Sequence, residues 1–187
     1  MMGETRLDGR RGWWVVAGCF LTLSMTSGIS FFVFPVAMVR IMPETGWRLE
    51  EVALGATIWG LSAAVLSPLC GMLIDRFGPR RAILFGIVYS AAIAISFSRV
   101  ETLAGFYLVM TAAPFGAMLS TYIPVGAVVT RWFVRYRGIA QGVAMLGTGL
   151  GGALFPQWAA ALLEDHGWRE TYAILGAFEL VALIPAW

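Results

Sequence analysis

Charged side chains are missing from five long stretches of this chain: residues 12–39, 52–74, 82–98, 102–130 and 138–163. An α-helix rises about 1.5 Å per residue, so about 20 apolar residues cross the roughly 30 Å hydrocarbon layer of a bilayer. Only 13% of the 187 residues are charged and 59% are hydrophobic. That is about half the charge that wets the surface of a soluble domain. The chain is therefore expected to be an all-α integral membrane protein.

Six spans are predicted, over about residues 13–39, 52–74, 82–98, 103–130, 138–163 and 171–187, after a segment 1–12. The fourth is longer than a perpendicular crossing needs, and Pro114 and Pro124 predict a kink in it. The sixth ends at Trp187 before completing a crossing, which predicts a truncated sixth span. The first apolar run well exceeds the ~7–15 residues of a signal peptide, so it reads as an uncleaved span. Cys19 and Cys70 both fall inside apolar runs and read as packing thiols rather than a disulfide framework.

The charges sort by side. All 13 cations are arginines. An N-terminus placed inside gives the cytoplasmic loops Arg6, Arg10, Arg11, Arg76, Arg80, Arg81, Arg131, Arg135 and Arg137. The outer loops receive Arg40, Arg48, Arg99 and Arg169 with most of the acids. Nine against four in short loops sets this orientation and predicts a multi-pass plasma (inner) membrane protein with a cytoplasmic N-terminus. The net charge of +2 hides that asymmetry and is no argument for nucleic acid. Trp13, Trp14 and Trp132 are expected as anchors at the inner interface, Trp47 and Trp168 at the outer one.

One charged hairpin stands out: Gly71, Asp75, Arg76, Gly78, Arg80 and Arg81 between the second and third spans. As a bland feature it is a basic turn that sets topology, with Gly78-Pro79 supplying the bend. Yet Asp75 sits at a helix C-terminus, where the dipole already carries partial negative charge, and needs cations to offset it. The full spacing resembles the signature loop of the major facilitator superfamily, G-x-x-x-D-[RK]-x-G-x-[RK]-[RK]. That resemblance implies the N-terminal six-helix half of a twelve-helix fold built from three-plus-three inverted repeats, working by alternating access. It also implies that the hairpin is a conformational latch, with Asp75 pairing to arginines at neighbouring helix ends. Arg131 is the expected partner.

Two further segments narrow the group. Asp8-Gly9-Arg10-Arg11-Gly12-Trp13-Trp14-Val15-Val16 is similar to the opening of the first helix in monocarboxylate porters. Trp132-Phe133 with Arg135, Arg137, Gly138, Ala140 and Gly142 resembles their fifth-helix opening motif, the basic pair shifted by one residue. Oxalate–formate antiporters share parts of this pattern. The resemblance implies a small organic carboxylate as solute. One departure counts against it: where animal monocarboxylate porters carry a lysine in the first helix, this chain has Phe31.

The fifth span carries the pairs Gly138/Gly142 and Gly147/Gly151, whose spacing lets helix backbones approach closely in lipid. In the resembling fold the first, second, fourth and fifth helices line the half-cavity. Thr26, Phe31, Tyr122, Thr148 and Gln157 are the polar or aromatic candidates there. Glu179 is the one charge deep in a span. An intramembrane acid is costly, so it is either a neutral hydrogen-bonded group or a candidate proton site. His166 reads as a surface residue, and no metal cluster, nucleophile–base pair or phosphate loop is legible, so neither enzyme chemistry nor a cofactor is expected. The expected partners are the bilayer, a C-terminal six-helix half or a second copy, and a small-molecule solute. The rivals are a facilitator for a neutral solute and a non-transporting membrane scaffold or half-size protein.

Overall fold

The computed structural model describes residues 9–186, so Arg6, Asp8 and Trp187 lie outside the described residues. The described chain is all-helical, with α1 (Arg10–Ser27), α2 (Val33–Thr45), α3 (Leu49–Phe77), α4 (Pro79–Phe97), α5 (Leu103–Ser120), α6 (Tyr122–Trp132), α7 (Arg137–Glu179) and α8 (Leu183–Ala186). A π-helical turn, Gly28–Phe32, joins α1 to α2, and a 3-10 turn, Leu180–Ala182, joins α7 to α8. Five continuous helical stretches are long and apolar enough to cross a membrane: Arg10–Thr45, Leu49–Phe77, Pro79–Phe97, Leu103–Trp132 and Arg137–Ala186. The last, of 50 residues, is interrupted at Gly167, whose φ of 74° and ψ of 170° are not helical. A side chain would resist that left-handed φ; glycine does not. The Thr171 hydroxyl donates to the Gly167 carbonyl (2.8 Å) where the helix resumes.

Prolines explain the other two discontinuities. Pro35 has no N–H to offer the turn before it, and its ring crowds that turn's carbonyl, so Gly28–Phe32 relaxes to π geometry. This break in the first stretch was not expected from its uninterrupted hydropathy. Pro124 acts likewise on the fourth stretch. The helix breaks one turn earlier, at Thr121 (φ −111°, ψ −125°), whose hydroxyl donates back to the Ala117 carbonyl (2.6 Å).

The helices close on each other through small residues. A Cβ added at Gly147 or Gly151 of α7 would run into the backbone of Phe20 or Ser24 on α1. The Ser24 hydroxyl donates across the same seam to the Gly147 carbonyl (2.8 Å). Beyond Gly167 the chain packs elsewhere: a Cβ at Gly176 would sit 2.9 Å from the Ala91 carbonyl of α4. Close approach of this kind gives apolar helices dispersion contacts that lipid cannot match. An aromatic core of Phe97, Phe106, Phe155, Trp168 and Tyr172 fills one end of the bundle. A second core, of Val16, Leu23, Ile87, Val129 and Phe133, fills the other.

Trp168 is corrected by this arrangement. It is 1% exposed, with its ring 5.7 Å from Phe97 and 4.3 Å from the Arg169 guanidinium, and so is a core residue rather than an interfacial anchor. Trp14, at 78% exposure, stands outside the bundle, as an anchor would. Helix α3 keeps Leu54, Leu61, Val65 and Met72 on its outer side.

Candidate functional site

The hairpin between α3 and α4 is a single residue long. Gly78 ends α3 by donating its N–H to the Ile74 carbonyl (2.9 Å), and Pro79 begins α4. Gly78 has φ 86° and ψ 152°, a conformation open in practice to glycine alone. Pro79 then presets the first turn of α4 and withholds an N–H that the turn does not need. Arg80 and Arg81 follow on that turn. With Arg131 and Trp132 from the end of α6, and Trp14 and Thr22 from α1, they line a cavity of about 610 Å³. Three arginines from two helix ends thus share one wall.

Asp75 is not on that wall. It is exposed in the last turn of α3 and makes no ion pair with Arg131, so the expected Asp75–Arg131 contact is corrected. Arg131 lines the cavity together with Arg80 and Arg81, whereas Asp75 is exposed and lies outside that lining. The Arg76 guanidinium lies 5.4 Å from the Phe77 ring. Gly71 has open space where a Cβ would stand, as do Gly138 and Gly142. Arg135 and Arg137 are exposed at the start of α7.

A second cavity, of about 290 Å³, opens among the helices. The π turn presents Ser30 and Phe31 to it, with Phe34 one turn on. Trp59 of α3 meets Phe31 edge-on (5.5 Å), and Tyr122 stacks with Phe31 (5.9 Å). Ser90 of α4 and Tyr172 and Glu179 of α7 complete the wall. Tyr172 and Glu179 lie seven residues apart, two turns along one helix face.

Of the five lining candidates, the structure brings together Phe31 and Tyr122. Thr26 is fully buried, its hydroxyl donating to Thr22 of its own helix (2.9 Å). Gln157 is exposed and donates to the Ala153 carbonyl (2.8 Å). Thr148 lines neither cavity, and its hydroxyl oxygen is buried without a partner. The walls also depart from expectation. The fifth predicted span, residues 138–163, contributes nothing to the 290 Å³ cavity, whereas the third contributes Ser90 and the sixth Glu179. Trp59, Ser90 and Tyr172 were missed in the sequence. The seven-residue spacing of Tyr172 and Glu179 was the available signal.

At the opposite end from the arginine wall, Arg40 pairs with Glu164 (3.5 Å), Arg48 with Glu50, and the Tyr107 hydroxyl donates to the Glu51 carbonyl (3.2 Å). Glu51 accepts from the Arg48 N–H (2.8 Å) and places an acid in the first turn of α3, where the helix dipole favours it. Among the described residues no group of three or more His, Cys, Asp or Glu side chains is placed to hold a metal ion.

The family model described as Major Facilitator Superfamily matches residues 20–187. Monocarboxylate transporter 13 of Bos taurus is 30% identical over 176 residues, covering 92% of this chain and 40% of that protein. Riboflavin transporter RibJ of Trypanosoma cruzi (strain CL Brener) is 30% identical over 186 residues, 95% of this chain and 38% of that protein. Human monocarboxylate transporter 6 is 29% identical over 180 residues, 94% of this chain and 34% of that protein. The chain thus spans between 34% and 40% of the length of these relatives.

Proposed function

This chain belongs to the Major Facilitator Superfamily, a family of membrane transporters, and on that premise we propose that it forms six membrane spans of an alternating-access transporter for a small organic carboxylate. The six-span count rests on Gly167. A stretch of 50 residues would be about 75 Å long as one helix, far beyond a single crossing, and the non-helical residue divides it where the charged loop Glu164–Glu170 would meet water. The arginine wall and the acidic loops at opposite ends support a cytoplasmic N-terminus at the plasma membrane.

The observation that carries the reading is the one-residue hairpin. Gly78 and Pro79 join α3 directly to α4, so the Asp75 carboxylate and the arginines Arg80 and Arg81 are carried on the two arms of one tight hairpin, with Arg131 of α6 beside them. With no ion-pair partner among the described residues, Asp75 is available to a helix N-terminus or cation of a C-terminal half or second copy. Forming that contact closes the cytoplasmic face; breaking it opens the transporter inward. Arg135, Arg137, Gly138 and Gly142 are exposed beside this face and contribute a second contact surface to the same closure.

A second reading of the solute has its own support. The 290 Å³ cavity is lined by Phe31, Phe34, Trp59 and Phe97 with no arginine among its described residues, which suits a neutral, partly aromatic molecule. Uptake of labelled monocarboxylates and of labelled riboflavin by cells expressing the protein that carries this chain separates the two. Asp75→Asn tests the latch in the same cells. Loss of uptake with normal membrane insertion is expected. Unchanged uptake of a transported solute would refute the latch, and no uptake of any solute by the wild type would favour a membrane scaffold.

A further inference from the structure

Three polar groups of the 290 Å³ cavity are used neither by the latch nor by the aromatic wall proposed to receive a neutral solute. Glu179 is 1% exposed, and Ser90 and Tyr172 are also buried. Glu179 Oε1, Ser90 Oγ and Tyr172 Oη have no hydrogen-bond partner among the described residues. All three line the same cavity, whose other wall is apolar and aromatic. Their register is fixed by close packing: Gly176 lies against Ala91 of α4, with Glu179 three residues on and Ser90 adjacent to Ala91. The cavity reaches from this blind end to Ala56, exposed on α3, and to half-buried Trp59 and Phe31.

We propose that this cavity is a hydrated proton chamber that carries a proton between the surface at Ala56 and Trp59 and the carboxyl of Glu179, with Ser90 and Tyr172 as hydrogen-bonding relays. Unmet polar atoms lining a cavity are what internal waters satisfy, each such water making about three hydrogen bonds. An acid in hydrocarbon without a cation beside it neutralises by holding a proton. Among the described residues neither an arginine nor a histidine lines the cavity. Tyr172 is the second titratable group on its wall. The elements packed on this end of α7 offer Cys19 from α1 and Tyr89 from α4. Tyr89 turns its hydroxyl to the Ala112 carbonyl (3.4 Å) instead. Glu179 is thus the proton's resting place. On release the carboxyl O–H bond breaks, the proton passes to chamber water as hydronium, and the carboxylate accepts hydrogen bonds from chamber water that the Ser90 and Tyr172 hydroxyls in turn hold. Because Glu179 sits just past the Gly176–Ala91 contact, the change in its charge acts directly on the seam between α4 and α7.

The inference rests on the membrane-spanning reading of the chain and not on any solute. Infrared difference spectroscopy of the lipid-reconstituted protein reads the carboxyl itself. A protonated-carboxyl band is expected, lost reversibly on titration with base and shifted by exchange into D2O. Glu179→Gln, isosteric and uncharged, should remove it from the wild-type spectrum. Ser90→Ala with Tyr172→Phe should keep the band but slow its exchange several-fold. A band that neither titrates nor exchanges in the wild type would mean a sealed structural acid and overturn the chamber. Absence of any band attributable to Glu179 would mean a permanently ionised group and overturn it equally. Either failure leaves the transporter reading intact, because solute uptake is measured separately.

Discussion

Substituting Gly151 by Ala adds one methyl group where α7 meets the backbone of α1. The new Cβ would lie 3.0 Å from the Ser24 carbonyl carbon and 3.1 Å from its Cα, with the carbonyl oxygen nearer still. These are main-chain atoms, so no rotamer change relieves the clash and the helices must part. Overpacking of this kind costs about 1–3 kcal/mol. Parting also stretches the Ser24–Gly147 hydrogen bond (2.8 Å), worth about 0.6 kcal/mol in a membrane helix pair. Gly142→Ala, on the same helix but with open space at its Cβ, is the control. Replacing glycine within a helix gains about 1 kcal/mol in either variant, so propensity cancels. The two should differ by about 2–4 kcal/mol, or about 4–15 °C in the unfolding midpoint of a chain this size. Thermal unfolding in detergent, followed by circular dichroism, measures it. Equal midpoints for the two variants would refute the close approach of α1 and α7.

Three further outcomes follow from particular contacts. Gly78→Ala should destabilise by about 1–3 kcal/mol through backbone strain alone, since nothing lies within 4 Å of the added methyl, while Gly71→Ala should not; denaturant or thermal unfolding compares them. Ser24→Ala should cost about 0.6 kcal/mol and no more than about 1.7 kcal/mol, read from the same unfolding curves. Arg40→Ala should cost less than about 1 kcal/mol, because the Arg40–Glu164 pair is solvent-exposed, and a larger loss in unfolding measurements would contradict that.

Span positions were legible because charge is excluded from hydrocarbon, and a run such as 52–74 admits no other use. Which face of a span packs against protein was far less legible. In lipid both faces are apolar, so Leu61, which faces out, and Leu23, which is fully buried, look alike in sequence. That is why Thr26 and Gln157 were placed on a cavity wall they do not share. Trp168 misled for a related reason. A tryptophan beside charged loop residues is the mark of an interface, and it is tertiary packing, including the tilted contact with Phe97, that draws this one inside. The π turn at Gly28–Phe32 follows from Pro35 by local chemistry but leaves no trace in hydropathy. That Arg131 lines a cavity with Arg80 and Arg81 while Asp75 stays outside it is a long-range property that spacing does not encode.

Six crossings, with the arginine wall on one side and the Gly167 turn on the other, are the foundation of the account. Impermeant thiol labelling in a background lacking Cys19 and Cys70 tests it, using single cysteines at the exposed positions Phe77, Val134, Glu44, Arg99 and His166. Phe77→Cys and Val134→Cys should label only from the cytoplasmic side, and Glu44→Cys, Arg99→Cys and His166→Cys only from the outside. Labelling of His166→Cys from the same side as Phe77→Cys, or from neither side, would contradict the six-span transporter.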